Sequence, residues 1–391
     1  MFLGKAAKNV NGVTLHAAFD VNRTNEFLPL GDKKLAEYRH MFSELALVVI
    51  DEFSMMDSNK HHSIHKRLAD ILQSDESFGG VGIAEVGDPL QLEPCSHNYI
   101  FQEPTHKPYQ PFYEVKKLWQ EFDVINLKVN HRQGEKNQWT TILNKIRVGD
   151  IDQEVKETLE SRLISPPNDD TKKSKLSRKV KKSGKKKHYK VTQEDLTTAH
   201  IFYTNKDVNE HNAECLNFLQ TEQYDIEAIQ ALPKGFKSTI KHGLTIDDTA
   251  YAKTLSVKVG ARIVLIQNLN TADGLVNGAM GKVVGIEMKD SKVDCIVVAF
   301  DDDVTGIRQR QKYPGTSAKY ASQNGTPIFK QLHEYLVRSK STGSKAKILQ
   351  FPIRLAFALT CHKMQGATIK KGCKTIVHWH NNLPKAMAYV M

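Results

Sequence analysis

A chain of 391 residues, 40% hydrophobic and 25% charged, is long enough for two or three domains, each with its own core. No apolar run approaches the roughly 18 residues a membrane helix needs, and MFLGKAAKNVNG lacks a basic stretch followed by an apolar one, which argues against a membrane span and a secretory leader. The net charge of +11 points to an acidic partner, but residues 171–193 alone hold eleven Lys/Arg and no acid, so the excess belongs to one segment.

In chain order, VNG supplies a turn and VTLHAAF, residues 13–19, begins a short helix. LALVVI, residues 45–50, reads as a fully buried strand of the parallel kind, running straight into Asp51 and Glu52. SNKHHSIHKRLADILQ places Ile64, Leu68, Ile71 and Leu72 at helical spacing. GGVGIAEVGDPLQLEP is a second buried strand ending in a polar loop. VINLKVNHRQ is a third strand-to-loop unit, and QWTTILNKIRVGD a helix closed by Gly149. Strands alternating with helices predict α/β architecture with a parallel sheet.

Residues 171–193 combine Ser, Gly and Lys next to SPPNDD and read as a disordered insertion. A nuclear address, a nucleic-acid tether and a solvated loop all fit that composition. TTAHIFYTNKDVNEHNAECLNFL then repeats strand, loop and amphipathic helix. VKVGARIVLI, GLVNGAMGKVVGIEM and KVDCIVVAF are short β runs between Gly/Asn/Asp turns, the pattern of a small barrel. Residues 303–348 read as polar and irregular, with a strand near 331–337. ILQFPIRLAFALTCHKMQGATIKKGCKTIVHW returns to the α/β pattern. Five dispersed cysteines with no C-x-x-C pair fit a reducing compartment, and argue against a disulfide framework or a zinc site.

Asp51 and Glu52 end a strand, where open α/β sheets bind ligands. A first carboxylate there suits a water-mediated hold on Mg²⁺, and a second can orient and deprotonate an attacking water. Gln91, in a proline-bounded loop, can sense a γ-phosphate or its water. Arg132 offers a cation for charge developing on phosphates. His362, Lys363 and Gln365 occupy a polar turn after IRLAFAL. His61 and His65 share one helical face at a zinc-like spacing, with no third ligand evident.

Together VNGVTLHAAF, VVIDEFSMMD, GDPLQLEP, NHRQ with LNKIRVGD, TNKDVNEHN, VGARIVLIQN with GLVNGAMG, and FPIRLAFALTCHKMQGAT resemble, in content and order, the Pif-one-like DNA helicases. The match runs through nearly the whole chain apart from the basic insertion and 303–348. It implies two RecA-like domains of the P-loop NTPase fold, with ATP and Mg²⁺ between them and an inserted SH3-like β-barrel. The implied division is 1–123, then 124–254 with 350–391, and 255–349 for the barrel. It further implies a monomeric 5′→3′ motor on single-stranded and forked DNA, serving repair, recombination or telomere maintenance in the nucleus or mitochondrion. Asp51 and Glu52 match the metal-binding and catalytic carboxylates, with Asp51 reaching Mg²⁺ through water. Gln91 matches the γ-phosphate-linked glutamine and Arg132 the arginine facing the phosphates. Thr14 and His16 match a DNA-contacting segment. His362, Lys363, Gln365 and Gly366 match the motif coupling DNA grip to nucleotide state, with Gln365 and Gly366 on the nucleotide side.

Phe53 stands where the family often has Ile. Residues 1–46 contain no glycine-rich loop ending in Gly-Lys-Ser/Thr, and KAMAYVM resembles the start of the last family motif without its Leu-Ser-Arg continuation. The resemblance therefore implies either a piece of a longer helicase or a non-hydrolysing remnant that binds nucleic acid.

Overall fold

The computed structural model describes residues 12–21, 27–94, 96–104, 117–129, 138–164, 191–232, 240–241, 245–246, 249–336, 345–365, 373–379 and 387. The first region begins with two helices, α1 (Leu15–Phe19) and α2 (Asp32–Met41), followed by strand β1 (Leu47–Asp51), α3 (Ser58–Leu72) and β2 (Gly82–Val86). β1 and β2 run parallel, with Leu47 opposite Gly82 and Asp51 opposite Val86. Leu15, Phe19, Ile50, Met56, Ile64, Leu68 and Phe78 form the core beneath them. The helix α3 starts where Asp57 caps it, its carboxylate accepting from the Lys60 amide at 2.8 Å.

The strand reading holds for β1, but its full burial does not. Ile50 is sealed while Val49 is 61% exposed, because the sheet has two strands among the described residues and one face of it is open. The third strand is a further correction. Residues 122–129 form no strand or ladder pairing, and Ile125 and Leu127 are each 85% exposed. An apolar run becomes a strand only where a neighbour offers free backbone groups. Arg132 lies outside the described residues. The expected helix follows as α4 (Gln138–Val148), which ends at Gly149, whose φ of +80° lies in the left-handed region. It is joined by α5 (Gln153–Glu160).

His61 and His65 are both buried in the core. The His61 Nε2 lies 3.0 Å from a Glu85 carboxylate oxygen, and His65 Nδ1 accepts from the Phe78 amide at 2.9 Å. No three-ligand cluster occurs among the described residues, and no helix there is long and apolar enough to cross a membrane.

The second α/β region is a parallel sheet in the order β16 (Ala358–Thr360), β3 (Ala199–Phe202), β17 (Thr375–Val377), with α6 (Asn205–Phe218) packed on it. Buried Asn212 of α6 stitches the sheet's entry: its amide donates to the Leu355 and Ala358 carbonyls, and its oxygen accepts from the Ala358 amide at 2.8 Å. Between β3 and β16 the chain turns antiparallel. β4 (Gln223–Glu227) pairs with β8 (Thr254–Lys258), while β6 (Ile240–Lys241) and β7 (Thr245–Ile246) form a small hairpin. β5 (Ile229–Ala231) pairs with β14 (Lys345–Gln350), which also pairs with β13 (Gln331–Leu336). The largest sheet runs β12 (Gly325–Phe329), β11 (Lys292–Phe300), β10 (Met280–Lys289), β9 (Arg262–Leu265), β15 (Ile353–Leu355).

Among the described residues no pairing joins β12 to β15, so the expected barrel is here an open five-stranded sheet. Its β12 end is covered instead by α7 (Ile307–Lys312) and α8 (Pro314–Lys319). From α7, Gln309 reaches the Pro327 carbonyl and Arg310 the Thr326 hydroxyl. These helices also correct the expectation that 303–348 is irregular. The start of α7 is capped by Asp273, whose carboxylate oxygens accept from the Arg308 and Gln309 amides at 2.9 Å each. A cap from 35 residues upstream is invisible to any local reading of the helix.

Candidate active site

Asp51 closes β1, and its carboxylate accepts from the Glu52 amide at 2.9 Å. Glu52 itself sits at φ +57°, ψ +46°, a left-handed conformation that costs a non-glycine residue about 1–3 kcal/mol. That kink turns the chain out of the sheet within one residue and sets the Glu52 carboxylate apart from the strand axis. Phe53 and Met56, buried behind it, hold the turn down.

The loop after β2 comes close to this turn because position 87 is glycine. A Cβ there would meet Phe53 Cδ1 at 2.9 Å and the Phe53 amide nitrogen at 3.0 Å. Asp88 then builds a tight turn, its carboxylate accepting from the Leu90 amide at 3.0 Å and its carbonyl from the Gln91 amide at 3.0 Å. Immediately after Gln91, Leu92 is 2% exposed and packs with Ile201, Cys361 and Met387 of the second α/β region. Burial of that side chain contributes about 1.5–3 kcal/mol, and it draws the Gln91 turn onto the second sheet.

From that second sheet, Thr360 leads into α9 (Cys361–Met364), directly followed by Gln365. The Gln365 amide donates to Glu52 Oε2 at 3.1 Å and to Gln91 Oε1 at 3.4 Å. Three predicted residues from three distant motifs thus meet. Gln365 Oε1 is buried and accepts no hydrogen bond among the described residues, an omission that costs about 1–3 kcal/mol unless a donor arrives.

Thr14 and His16 lie on α1, fixed by Leu15 and Phe19 in the core, with Thr14 at the N-cap. Buried Arg67 of α3 holds the far end of α1, donating to the Phe19 carbonyl at 2.9 Å and the Leu28 carbonyl at 2.8 Å. His362 and Lys363 stand on α9. Burial lowers the His362 pKa. Lys363 keeps solvent contact, yet protein crowding, with the Arg354 guanidinium as a smaller cause, brings its ammonium pKa down to about 8. Gly366, like Arg132, lies outside the described residues.

The residue reading missed Asp88 and Arg147. The Arg147 guanidinium meets the Asp88 carboxylate in a fork, Nε to Oδ2 at 2.9 Å and an Nη to Oδ1 at 2.7 Å. With the Leu90 amide and the Gln91 side chain it holds the Asp88 pKa below the usual carboxylate range against the opposing effect of burial. Both residues lie inside quoted motifs, GDPLQLEP and LNKIRVGD, which was the available signal. No periodicity links positions 59 apart.

A family model described as PIF1-like helicase matches residues 3–157, and one described as DNA helicase Pif1, 2B domain, matches residues 246–286. The ATP-dependent DNA helicase Pif1 of Psychrobacter sp. (strain PRwf-1) is 24% identical over 407 residues, covering 94% of this chain and 55% of its own length. The human ATP-dependent DNA helicase PIF1 is 25% identical over 376 residues, covering 94% and 48%. The chain thus spans about half the length of these two curated relatives. Among solved structures, Bacteroides Pif1 bound to ssDNA superposes with a TM-score of 0.65 at 21% identity, covering all of this chain and 78% of that one. Pif1 helicase from Candida albicans gives 0.64 at 20%, covering 80% of its own chain. The fold is therefore the α/β helicase fold of these structures. The chain belongs to the PIF1-like helicase family.

Proposed function

We propose that this chain forms the core of an ATP-dependent DNA helicase that moves 5′→3′ along single-stranded DNA to open forked duplexes. One observation carries the reading: Gln365, shortly after β16 of the second sheet, bonds at once to the strand-end Glu52 and to Gln91. Such a junction lets the presence of a triphosphate alter how two sheets sit on each other. Named relatives support it, since the Psychrobacter and human proteins are described as ATP-dependent DNA helicases and a Bacteroides relative as bound to ssDNA.

The residues present fit the metal and water side of a nucleotide site. Asp51 would hold Mg²⁺ through water, and the metal would neutralise charge on the phosphates. Glu52 would take one proton of the attacking water, the orphaned Gln365 Oε1 would orient that water by accepting its other hydrogen, and Gln91 would stand at the γ-phosphate. Arg132 and Gly366 are assigned to the phosphates, and Thr14, His16, His362 and Lys363 to the DNA strand. The proposed units are 1–123, 124–254 with 350–391, and a β insertion over 255–349. Strands 223–227 and 229–231 of the second unit pair with strands of that insertion. Roles in repair, recombination or telomere maintenance follow only from the family.

The test is single-strand-stimulated ATP hydrolysis by the native protein carrying this chain. Glu52→Gln should keep ATP binding and lose about 10²–10⁴-fold in turnover, the usual share of a general base. Turnover at the unsubstituted rate would remove Glu52 from this role. DNA binding with no hydrolysis by the unsubstituted protein would favour a non-hydrolysing nucleic-acid binder.

A further inference from the structure

The links around Asp88 form one continuous chain. Arg147, in the last turn of α4, grips Asp88 through two hydrogen bonds. The Asp88 carboxylate also takes bonds from the Leu90 amide and the Gln91 side chain. Gln91 Oε1 accepts from Gln365, which also donates to Glu52. A guanidinium–carboxylate fork fixes orientation as well as distance, unlike a single ammonium contact. Its side chains are only 33% and 17% exposed, so the pair is less screened than an open surface bridge. Arg147 is also held from behind: α4 stops at Gly149, and Lys145 in the same turn is tied to Asp152 and Glu154 at 2.6 and 2.7 Å.

We propose that the Arg147–Asp88 fork is a latch that sets the Gln91 turn at the distance from which Gln365 and Glu52 can share it, making Arg147 a positioning residue for the nucleotide site. The latch rests on the reading of that site as an ATPase centre. It adds a mechanical route: α4 begins six positions after Arg132 in the sequence, so the fork ties the turn bearing Gln91 to the next helix along the chain. Movement of α4 then moves the glutamine. With the latch open, the Asp88–Gln91 turn keeps its own short-range bonds but loses its outer anchor.

The test compares Arg147→Ala, Asp88→Asn and the exchange pair Asp88→Arg with Arg147→Asp in the native protein. Without nucleotide, amide exchange at Leu90 and Gln91 should speed up about tenfold in each single variant, reflecting local opening. With ATP, KM should rise several-fold, while thermal midpoints stay near that of the unsubstituted protein. Because Asp88→Arg also removes the acceptor of the Leu90 amide, the exchange pair should recover part of the protection at Gln91, whose amide bonds to a backbone carbonyl, and part of the KM. Arg147→Lys should rescue less than half of either, because it cannot form a fork. Unchanged exchange in both single variants would overturn the latch. So would a KM rise without any change at residues 88–92, which would mark Arg147 as a direct ligand. If the unsubstituted protein hydrolyses no ATP, the exchange measurement still decides the latch, so the two readings fail separately.

Discussion

Gly87 is the residue on which the meeting of the two strand ends depends. Its neighbour Phe53 leaves no room for a methyl group, with a side-chain carbon and a backbone nitrogen both within about 3 Å of where Cβ would stand. Alanine there must push Phe53, and with it the left-handed Glu52, or shift the Asp88 turn. Gly87→Ala should cost about 1–3 kcal/mol of stability, the usual scale of overpacking. It should lower hydrolysis by more than that loss of folded protein explains. Denaturant unfolding together with turnover corrected for the folded fraction checks this, and an unstrained, fully active variant would contradict the packing argument. The glycine stands out in GDPLQLEP, yet nothing local reveals that its demand comes from Phe53 rather than from a turn dihedral. The same holds for Leu92: apolar in a polar loop, it finds its core only in the second sheet.

At the scale of elements, three histidines cluster at the sheet of the second region, His200 and His211 buried and His378 half-buried. His200 of β3 lies with Nε2 3.1 Å from Asp195 and Nδ1 2.8 Å from His378 Nε2, after β17, while His211 of α6 packs 4.1 Å from His200, centre to centre. A Nε2 proton on His200 facing Asp195, with Nδ1 accepting from His378, satisfies both contacts. Burial first, then the neighbouring imidazoles, lowers the pKa of each of the three to about 4; Asp195 opposes the shift in all three, and Asp207 also at His378. The unfolded chain would titrate them near 6.5, so between these values it binds more protons than the fold does. Their contribution is whole above pH 6.5 and is lost as the pH falls toward 4. For one such histidine taken alone this amounts to about 3 kcal/mol, and the coupled three will not add. Thermal midpoints from pH 7.5 to 4.5 should fall, and His378→Asn should flatten that slope. A profile identical in the two proteins would remove the cluster as its cause. Helices and strands here were legible because their caps and periodicity are local. Residues 124–129 were misread because pairing, not propensity, makes a strand.

Over the whole molecule, charge and contacts divide differently. The formal +11 equals the charge of residues 171–193, whose eleven Lys/Arg all fall at or before position 190, outside the described residues. Nucleic-acid affinity should fall steeply with salt, and deleting 171–193 should weaken non-specific binding and its salt slope more than the preference for single strands. Titrations of both proteins at two salt concentrations test this. Loss of only the single-strand preference would count against an electrostatic tether.

By itself the sequence determined the α/β class, the strand-end carboxylates, the order of the motifs and the separateness of the basic segment, because each is encoded in neighbours or short spacings. Only the tertiary structure decided that Gln365 reaches Glu52 from 313 positions away, that Arg147 grips Asp88, and that β12, β11, β10, β9 and β15 form an open sheet among the described residues. Such contacts depend on how separately folded sheets and helices come to rest against one another, and no local pattern carries that distance.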